Sequence, residues 1–212
     1  MYELKDYYSK RAKDYEQIYS REDPVRQSEL NKIKDELISL FKNKSVLEAA
    51  CGTGYWTEVI SKTAKQVLAF DFSSEVIEIA KSKKLNAGFI IDDAYEMKNV
   101  SGAFNAGCTN FWLSHIPKNK ISDFLNLFHK KLLPGSVVFI ADNIFIEGVG
   151  GELINKPGDV NTYKKRKLSD GSTYEIIKNY FTKEELTEIF KPFSGYIDIT
   201  FGKCFWWIKY SI

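Results

Sequence analysis

The stretch "VLEAACGTGYWTEVI", residues 46–60, runs from an apolar segment through two glycines into a helix-prone one, with Glu48 four positions before the first glycine. An apolar run ending at a glycine turn reads as a buried strand, and residues 56–63 then read as the helix that follows it. Gly52 and Gly54 would permit unusual backbone dihedrals at that turn and let a ligand approach the main chain. A doubly wound sheet binds its ligand in this place, where the first strand turns into its helix.

Reading downstream, "QVLAFDF" (66–72) is the next strand and "SSEVIEIAKSKKL" (73–85) the next helix, with Ser73 or Ser74 as its cap and Glu75 in its first turn. "AGFIIDDAY" (87–95) and "FNAGCTNF" (104–111) supply two more strands. The amphipathic "KISDFLNLFHKKLL" (120–133) is stopped by Pro134-Gly135 and leads into the strand "SVVFIADN" (136–143). Upstream, residues 3–20 and 25–42 have helical spacing, with Leu30, Ile33, Leu37 and Leu40 on one face. Strands alternating with helices over short connections imply a parallel α/β sheet covered on both faces. The last third differs: residues 147–173 show no core period, and "YEIIKNYF" (174–181) and "KCFWWIKY" (203–210) flank the helix "TKEELTEIFKPF" (182–193). A late strand, helix and antiparallel strand would complete the sheet.

Thirty basic and 28 acidic residues leave a formal charge of +2, which gives no reason to expect a polyanionic partner. Cys51, Cys108 and Cys204 are scattered without metal or redox spacing, which fits a reducing compartment. Neither a signal-peptide core nor a run of 18 apolar residues occurs, so a soluble, cytoplasmic protein without membrane contact is expected.

The chemistry is concentrated at the strand tips. A dinucleotide motif would place glycine or alanine where this chain has Thr57, which weakens a nicotinamide or flavin reading. Glu48 could meet a positive charge, so a cofactor with an ammonium group and no phosphate fits better. Asp71 ends the second strand 17 residues after Gly54, and its carboxylate can accept two hydrogen bonds, as a ribose diol requires. Phe72 could pack on an adenine face, and Asp92 or Asp93 at the third tip could accept from its amino group.

These residues carry a resemblance. "EAACGTG" (48–54), "FDFS" (70–73), "DDAY" (92–95) and "LLPGSVVFIADN" (132–143) resemble, in order and spacing, the motifs of class I S-adenosylmethionine-dependent methyltransferases of the small single-domain type. The resemblance covers residues 40–143 and extends plausibly to the whole chain. It implies a Rossmann-like, doubly wound, mostly parallel seven-stranded sheet with an antiparallel last strand. It implies a single domain over 1–212, with a helical cap at 1–42, a cofactor-binding core at 43–143, and an acceptor-site insertion with the final strands at 144–212. The implied cofactor is S-adenosylmethionine, with S-adenosylhomocysteine as product. The implied contacts are Glu48, Ala50, Gly52, Gly54, Asp71, Phe72, the pair Asp93-Ala94, and Asn110. Arg11 and Tyr15, on a segment that folds over the cofactor in many members, are candidates to hold its carboxylate or close the site. The same segment could equally be an amphipathic helix packed on the sheet.

The resemblance implies in-line methyl displacement, in which alignment matters more than a base. Asn105 stands where the family has an aspartate, a change read as structural. "TNFWLSHIP" (109–117) places Asn110, Phe111, Trp112 and His115 beside the transferred methyl, and His115 is the candidate base or, alternatively, a loop-orienting residue. "TNFW" lacks the prolines of enzymes that methylate base amines or glutamine amides. "ADN" (141–143) resembles a magnesium-binding pair, yet Asn110 replaces its partner aspartate, so no metal is expected and Asp142 is left to orient a substrate or loop. Tyr163 and Arg166 could face the acceptor, while the basic run 164–167 reads foremost as a solvated loop or strand edge. Trp206 and Trp207 read as core. The expected function is methyl transfer to the oxygen or nitrogen of a small molecule by a monomer or homodimer. A nucleic-acid or protein methyltransferase and a non-catalytic S-adenosylmethionine-binding protein are the alternatives.

Overall fold

The computed structural model describes residues 10–149, 151–168 and 170–212, and the side chains of these except at 12–15. Five strands follow from residue 45 onward, β1 (Ser45–Ala49), β2 (Gln66–Asp71), β3 (Gly88–Ile91), β4 (Phe104–Asn110) and β5 (Leu132–Asn143), with helices in every connection except β3 to β4, which is made by turns. A small antiparallel sheet follows, made of β6 (Leu153–Asn155), β7 (Thr162–Lys167) and β8 (Thr173–Ile177), before β9 (Ile197–Phe201) and β10 (Phe205–Ser211) return to the main one. The main sheet has seven strands in the order β3-β2-β1-β4-β5-β10-β9, parallel from β3 to β5, with β10 antiparallel to both of its neighbours. The helices are α1 (Pro24–Leu40), α2 (Tyr55–Ile60), α3 (Ser74–Ser82), α4 (Ile121–Lys130) and α5 (Lys183–Phe190).

Strand alternation assigns the two faces. Leu47, Phe70 and Trp206 pack with Phe124 and Phe128 of α4 and Leu186 of α5. Val46, Phe139 and Trp207 pack with Leu30, Ile33 and Leu37 of α1 and Ile60 of α2 on the other side. The adjacent tryptophans thus serve opposite layers, each side chain contributing roughly 2–3 kcal/mol through burial. Gly107 in β4 lets α4 dock: a Cβ there would stand 2.8 Å from both Phe128 and Leu132. Asn105 has a structural partner, its Oδ1 accepting the Ser45 N–H at 2.9 Å and tying β4 to β1.

The last third departs from the sequence expectation. "YEIIKNYF" contributes β8 to the small sheet, and the main-sheet place expected for it is taken by "IDITF" (197–201). Its weak apolar pattern matches a half-buried edge strand. The β9–β10 turn is anchored by Glu29 of α1, whose buried carboxylate accepts the N–H groups of Lys203, Cys204 and Phe205 at 2.7–3.0 Å. Because strand order reverses between β1 and β4, their C-terminal tips border an open crevice.

Candidate active site

The glycine turn after β1 is wound by three residues with positive φ, Ala50 (53°), Gly52 (54°) and Gly54 (78°). The Gly52 N–H donates to Asp71 Oδ2 at 3.0 Å, and the Ser73 N–H to Asp71 Oδ1 at 3.1 Å, so one carboxylate joins the tips of β1 and β2. Burial raises the Asp71 carboxyl to about 6, against the pull of those N–H bonds. Gly54 has a different duty from the one expected of it. A Cβ there would stand 3.1 Å from that of Ala80, so its bare backbone admits α3, and it does not line the crevice.

A cavity of about 500 Å³ opens over the tips of β2 and β3, within the range usual for cofactor sites. Its walls include Ala50, Asp71, Phe72, Asp93, Ala94 and Trp112. Asp92 also lines it, and its oxygens accept the N–H groups of Asp93 and Asn99, which shape the segment that presents Asp93. A narrow extension of about 30 Å³ continues past Gly52 to Asn110 and Phe111. Both polar atoms of the buried Asn110 amide lack a hydrogen-bond partner, an arrangement costly enough to mark a place where a ligand supplies the missing bonds. A carboxylate acceptor, an aromatic wall, a glycine and an orphaned amide in one groove suit a nucleoside extended by a polar amino-acid tail.

Glu48 does not line this groove. It lies inside β1 rather than at its tip and faces the helical layer, where Thr57 Oγ1 donates to it at 2.6 Å. Burial lifts its carboxyl to about 8, and its place in the helical layer keeps it away from the groove where a cofactor's positive charge was expected to meet it. The N-terminal segment does reach the turn: Thr53 Oγ1 donates to Glu16 at 2.7 Å, and Lys83, which caps the C-terminus of α3, pairs with the same oxygen. Tyr15 lies outside the described side chains. Arg11 lines other cavities, not the groove.

One of these is a second cavity, of about 100 Å³, which meets the groove at Phe111. Here β7 and β8 alternate so that Arg166, Ile176 and Lys178 face inward, toward Arg21 and Arg26 from the N-terminal side. The basic run is therefore a strand and not a solvated loop, with Lys164 and Arg166 turned in and Lys165 and Lys167 out. Tyr163 is engaged elsewhere, donating to Asp159 at 2.5 Å beneath the Lys156 ammonium. Asp142 at the end of β5 accepts from the Ser114 N–H and Oγ at 2.8 and 3.0 Å and pairs with Lys178 at 3.1 Å. It thereby orients the loop after β4, and Lys178, acting against burial, holds its carboxyl below the ordinary value. His115 also lines this cavity, and its Nδ1 lies 2.7 Å from the Ile177 carbonyl. A carbonyl only accepts, so Nδ1 carries the proton and Nε2 the lone pair. Burial and then Lys178 depress the imidazolium to about 3.

The comparisons agree with this geometry. A family described as Methyltransferase domain matches residues 46–135. "O-methyltransferase 3" of Dictyostelium discoideum is 30% identical over 214 residues, covering 90% of this chain and 47% of the relative. Malonyl-[acyl-carrier protein] O-methyltransferase of Priestia megaterium is 27% identical, covering 85% of this chain and 65% of the relative. The chain thus spans about half and just under two thirds of these proteins. Solved structures of DhpI superimpose closely: its SAH complex at TM-score 0.78 and 26% identity, covering 98% of this chain and 94% of the other, and its SAM-HEP complex at TM-score 0.79 and 25% identity, covering 98% and 95%. The chain carries a methyltransferase-domain match and shares its fold with S-adenosylmethionine-dependent methyltransferases.

Among the described residues, no cluster of three histidine, cysteine or acidic side chains is placed to hold a metal, and no helix is long and apolar enough to cross a membrane. Sequence reasoning missed Arg21, Arg26 and Lys178 of the second cavity. Only Arg166 carried a signal, as part of a basic run whose alternation becomes meaningful once it is known to be a strand.

Proposed function

We propose that this methyltransferase binds S-adenosylmethionine along the groove from Asp93 to Asn110 and transfers its methyl group to a small molecule held in the cavity beyond Phe111. The observation that carries the reading is the orphaned Asn110 amide at the inner end of a groove whose other end has Asp71 and Phe72. Asp71 retains acceptor capacity beyond its two N–H bonds, enough for a ribose diol. Phe72, Asp93 and Ala94 would border the adenine, while Gly52 and Asn110 would receive the amino-acid portion. The bound sulfonium supplies an activated methyl group open to in-line displacement.

The protein's share of the work is then to fix the acceptor and exclude water, an effect that reaches roughly 7–11 kcal/mol when alignment is complete. The Asp142–Ser114–Lys178 network sets the position of the loop that carries Phe111 and His115. An imidazole this weakly basic is poorly matched to deprotonating a neutral alcohol, so His115 is read as a positioning residue. The names of the Dictyostelium and Priestia relatives favour an oxygen nucleophile over nitrogen.

Calorimetric titration with S-adenosylmethionine and S-adenosylhomocysteine tests the cofactor assignment. Micromolar binding of either is expected. Asp71→Ala should weaken it at least tenfold with the circular dichroism spectrum preserved. Unchanged affinity would remove Asp71 from the ribose site, no binding of either compound would end the methyltransferase reading, and binding without turnover of any acceptor would leave a cofactor-binding protein.

A further inference from the structure

A chain with nearly balanced charge concentrates Arg11, Arg21, Arg26, Arg166 and Lys178 on the wall of one small cavity, and among the described residues no carboxylate lines it. These cations come from three separate places in the chain: the N-terminal segment, the beginning of α1, and the small β6–β8 sheet. The β7 and β8 strands are in register with Arg166 opposite Tyr174 and Lys164 opposite Ile176, so the inward face of the insertion is what brings its basic side chains here. Lys178 is matched by Asp142 at 3.1 Å. Arg21 and Arg26 have no ion-pair partner among the described residues. Arg26 is half-buried with its guanidinium 4.6 Å from the Phe205 ring centre, and its Nε is inaccessible to water and without a hydrogen-bond partner.

From this placement we infer that the acceptor is a small molecule bearing an oxyanion, a phosphate-like or carboxylate group, which docks between Arg21, Arg26 and Arg166 in the cavity beyond Phe111. The inference rests on the methyltransferase reading above and specifies its substrate class. Arg21 and Arg26 repel each other across this partly enclosed space, and an anion relieves that cost while satisfying planar guanidinium donors. Burial, followed by the proximity of Arg21, lowers the Arg26 guanidinium's pKa, consistent with such repulsion. A volume of about 100 Å³ admits an oxyanion head and a few attached atoms, and no polymer backbone. Phe111 lines both this cavity and the inner end of the groove, so a head group in the cavity would lie beside the proposed site of transfer.

The test begins with the protein saturated with S-adenosylhomocysteine, titrated calorimetrically with inorganic phosphate and separately with acetate. Binding of at least one, weakened fivefold or more in Arg21→Gln and in Arg26→Gln, is expected. The stronger of the two distinguishes tetrahedral from carboxylate recognition. Turnover is then compared for matched acceptors, each a neutral alcohol and its phosphorylated or carboxylated counterpart. The anionic member should be preferred at least tenfold in kcat/KM, with the preference shrinking in both variants. Arg21 is exposed, so its variant keeps the test interpretable if loss of the Arg26–Phe205 contact disturbs folding. Equal or better turnover of the neutral partners, or anion affinity unaffected by both substitutions, would overturn the inference. Failure to bind S-adenosylhomocysteine at all would instead strike the underlying methyltransferase reading, since phosphate and acetate binding are measured independently of turnover.

Discussion

At the scale of single residues, Ala50 shows how a motif tolerates a costly choice. It holds φ near 53°, a left-handed conformation in which an alanine Cβ crowds the neighbouring carbonyl. Ala50→Gly should remove that strain, offset in part by glycine's greater freedom in the unfolded chain, for a net gain of about 0.5–1 kcal/mol in urea unfolding. A loss would mean that the Ala50 methyl contributes more by packing than the backbone forfeits. That Asp71, Phe72, Asp93 and Ala94 would line one cavity was legible from the sequence, because a strand tip's distance from the glycine turn can be counted along the chain. The direction of Glu48 was not followed through in that reading. Sharing a face with Val46 in β1, it points into the helical layer, whereas the residues around the groove lie at or beyond strand ends.

At the scale of elements, α1 fastens the sheet's far edge. Three backbone N–H groups of the β9–β10 turn rely on the Glu29 carboxylate, and Gly202 has no side chain because a Cβ would lie 2.5 Å from Glu29 Oε1. Glu29→Ala would orphan donors that are largely shielded from water, at a cost of roughly 3 kcal/mol. Chemical denaturation should show this as a lower midpoint, and hydrogen exchange should speed up first at residues 203–205. A change below about 1 kcal/mol would show that water replaces the carboxylate. The sequence displayed α1's apolar stripe but not this use of its polar face, since the partner lies some 174 residues away. The same separation hid β9, whose edge position leaves it only half-buried and without a strong apolar signature.

At the scale of the whole molecule, buried titratable groups oppose one another across the pH range. Glu48 near 8 and Asp71 near 6, against ordinary values of 4.5 and 3.8, retain protons that the unfolded chain releases, so their effect is to lower stability as pH rises through those windows. His115 near 3 and His129 near 4, against 6.5, refuse protons that the unfolded chain accepts, so they lower stability as pH falls below about 6.5. The two effects offset each other between about pH 5 and 6. Above about pH 6.5 Glu48 dominates, and the ligand-free protein should lose about 1–2 kcal/mol by about pH 9. In melts recorded across the range, Glu48→Gln, which retains an acceptor for Thr57, should remove most of that decline up to about pH 8, above which the buried thiols of Cys51 and Cys108, raised by desolvation, add their own. Parallel declines in both proteins would place the titration elsewhere.

The sequence by itself determined the α/β core, the family resemblance and that Asp71, Phe72, Asp93 and Ala94 stand at strand tips, because each depends on local periodicity or on spacing between neighbouring strand tips. Tertiary structure decided the rest. It turned Glu48 inward, committed Gly54 to α3, and moved Arg11 from the groove to the cationic cavity. It also gave His115 a carbonyl partner on β8 and converted the basic run 164–167 into one wall of a pocket completed by Arg21 and Arg26. The physical reason is common to all of these: a side chain's direction and charge depend on which distant surface buries it, and burial is settled only when the small sheet, α1 and the main sheet close on one another.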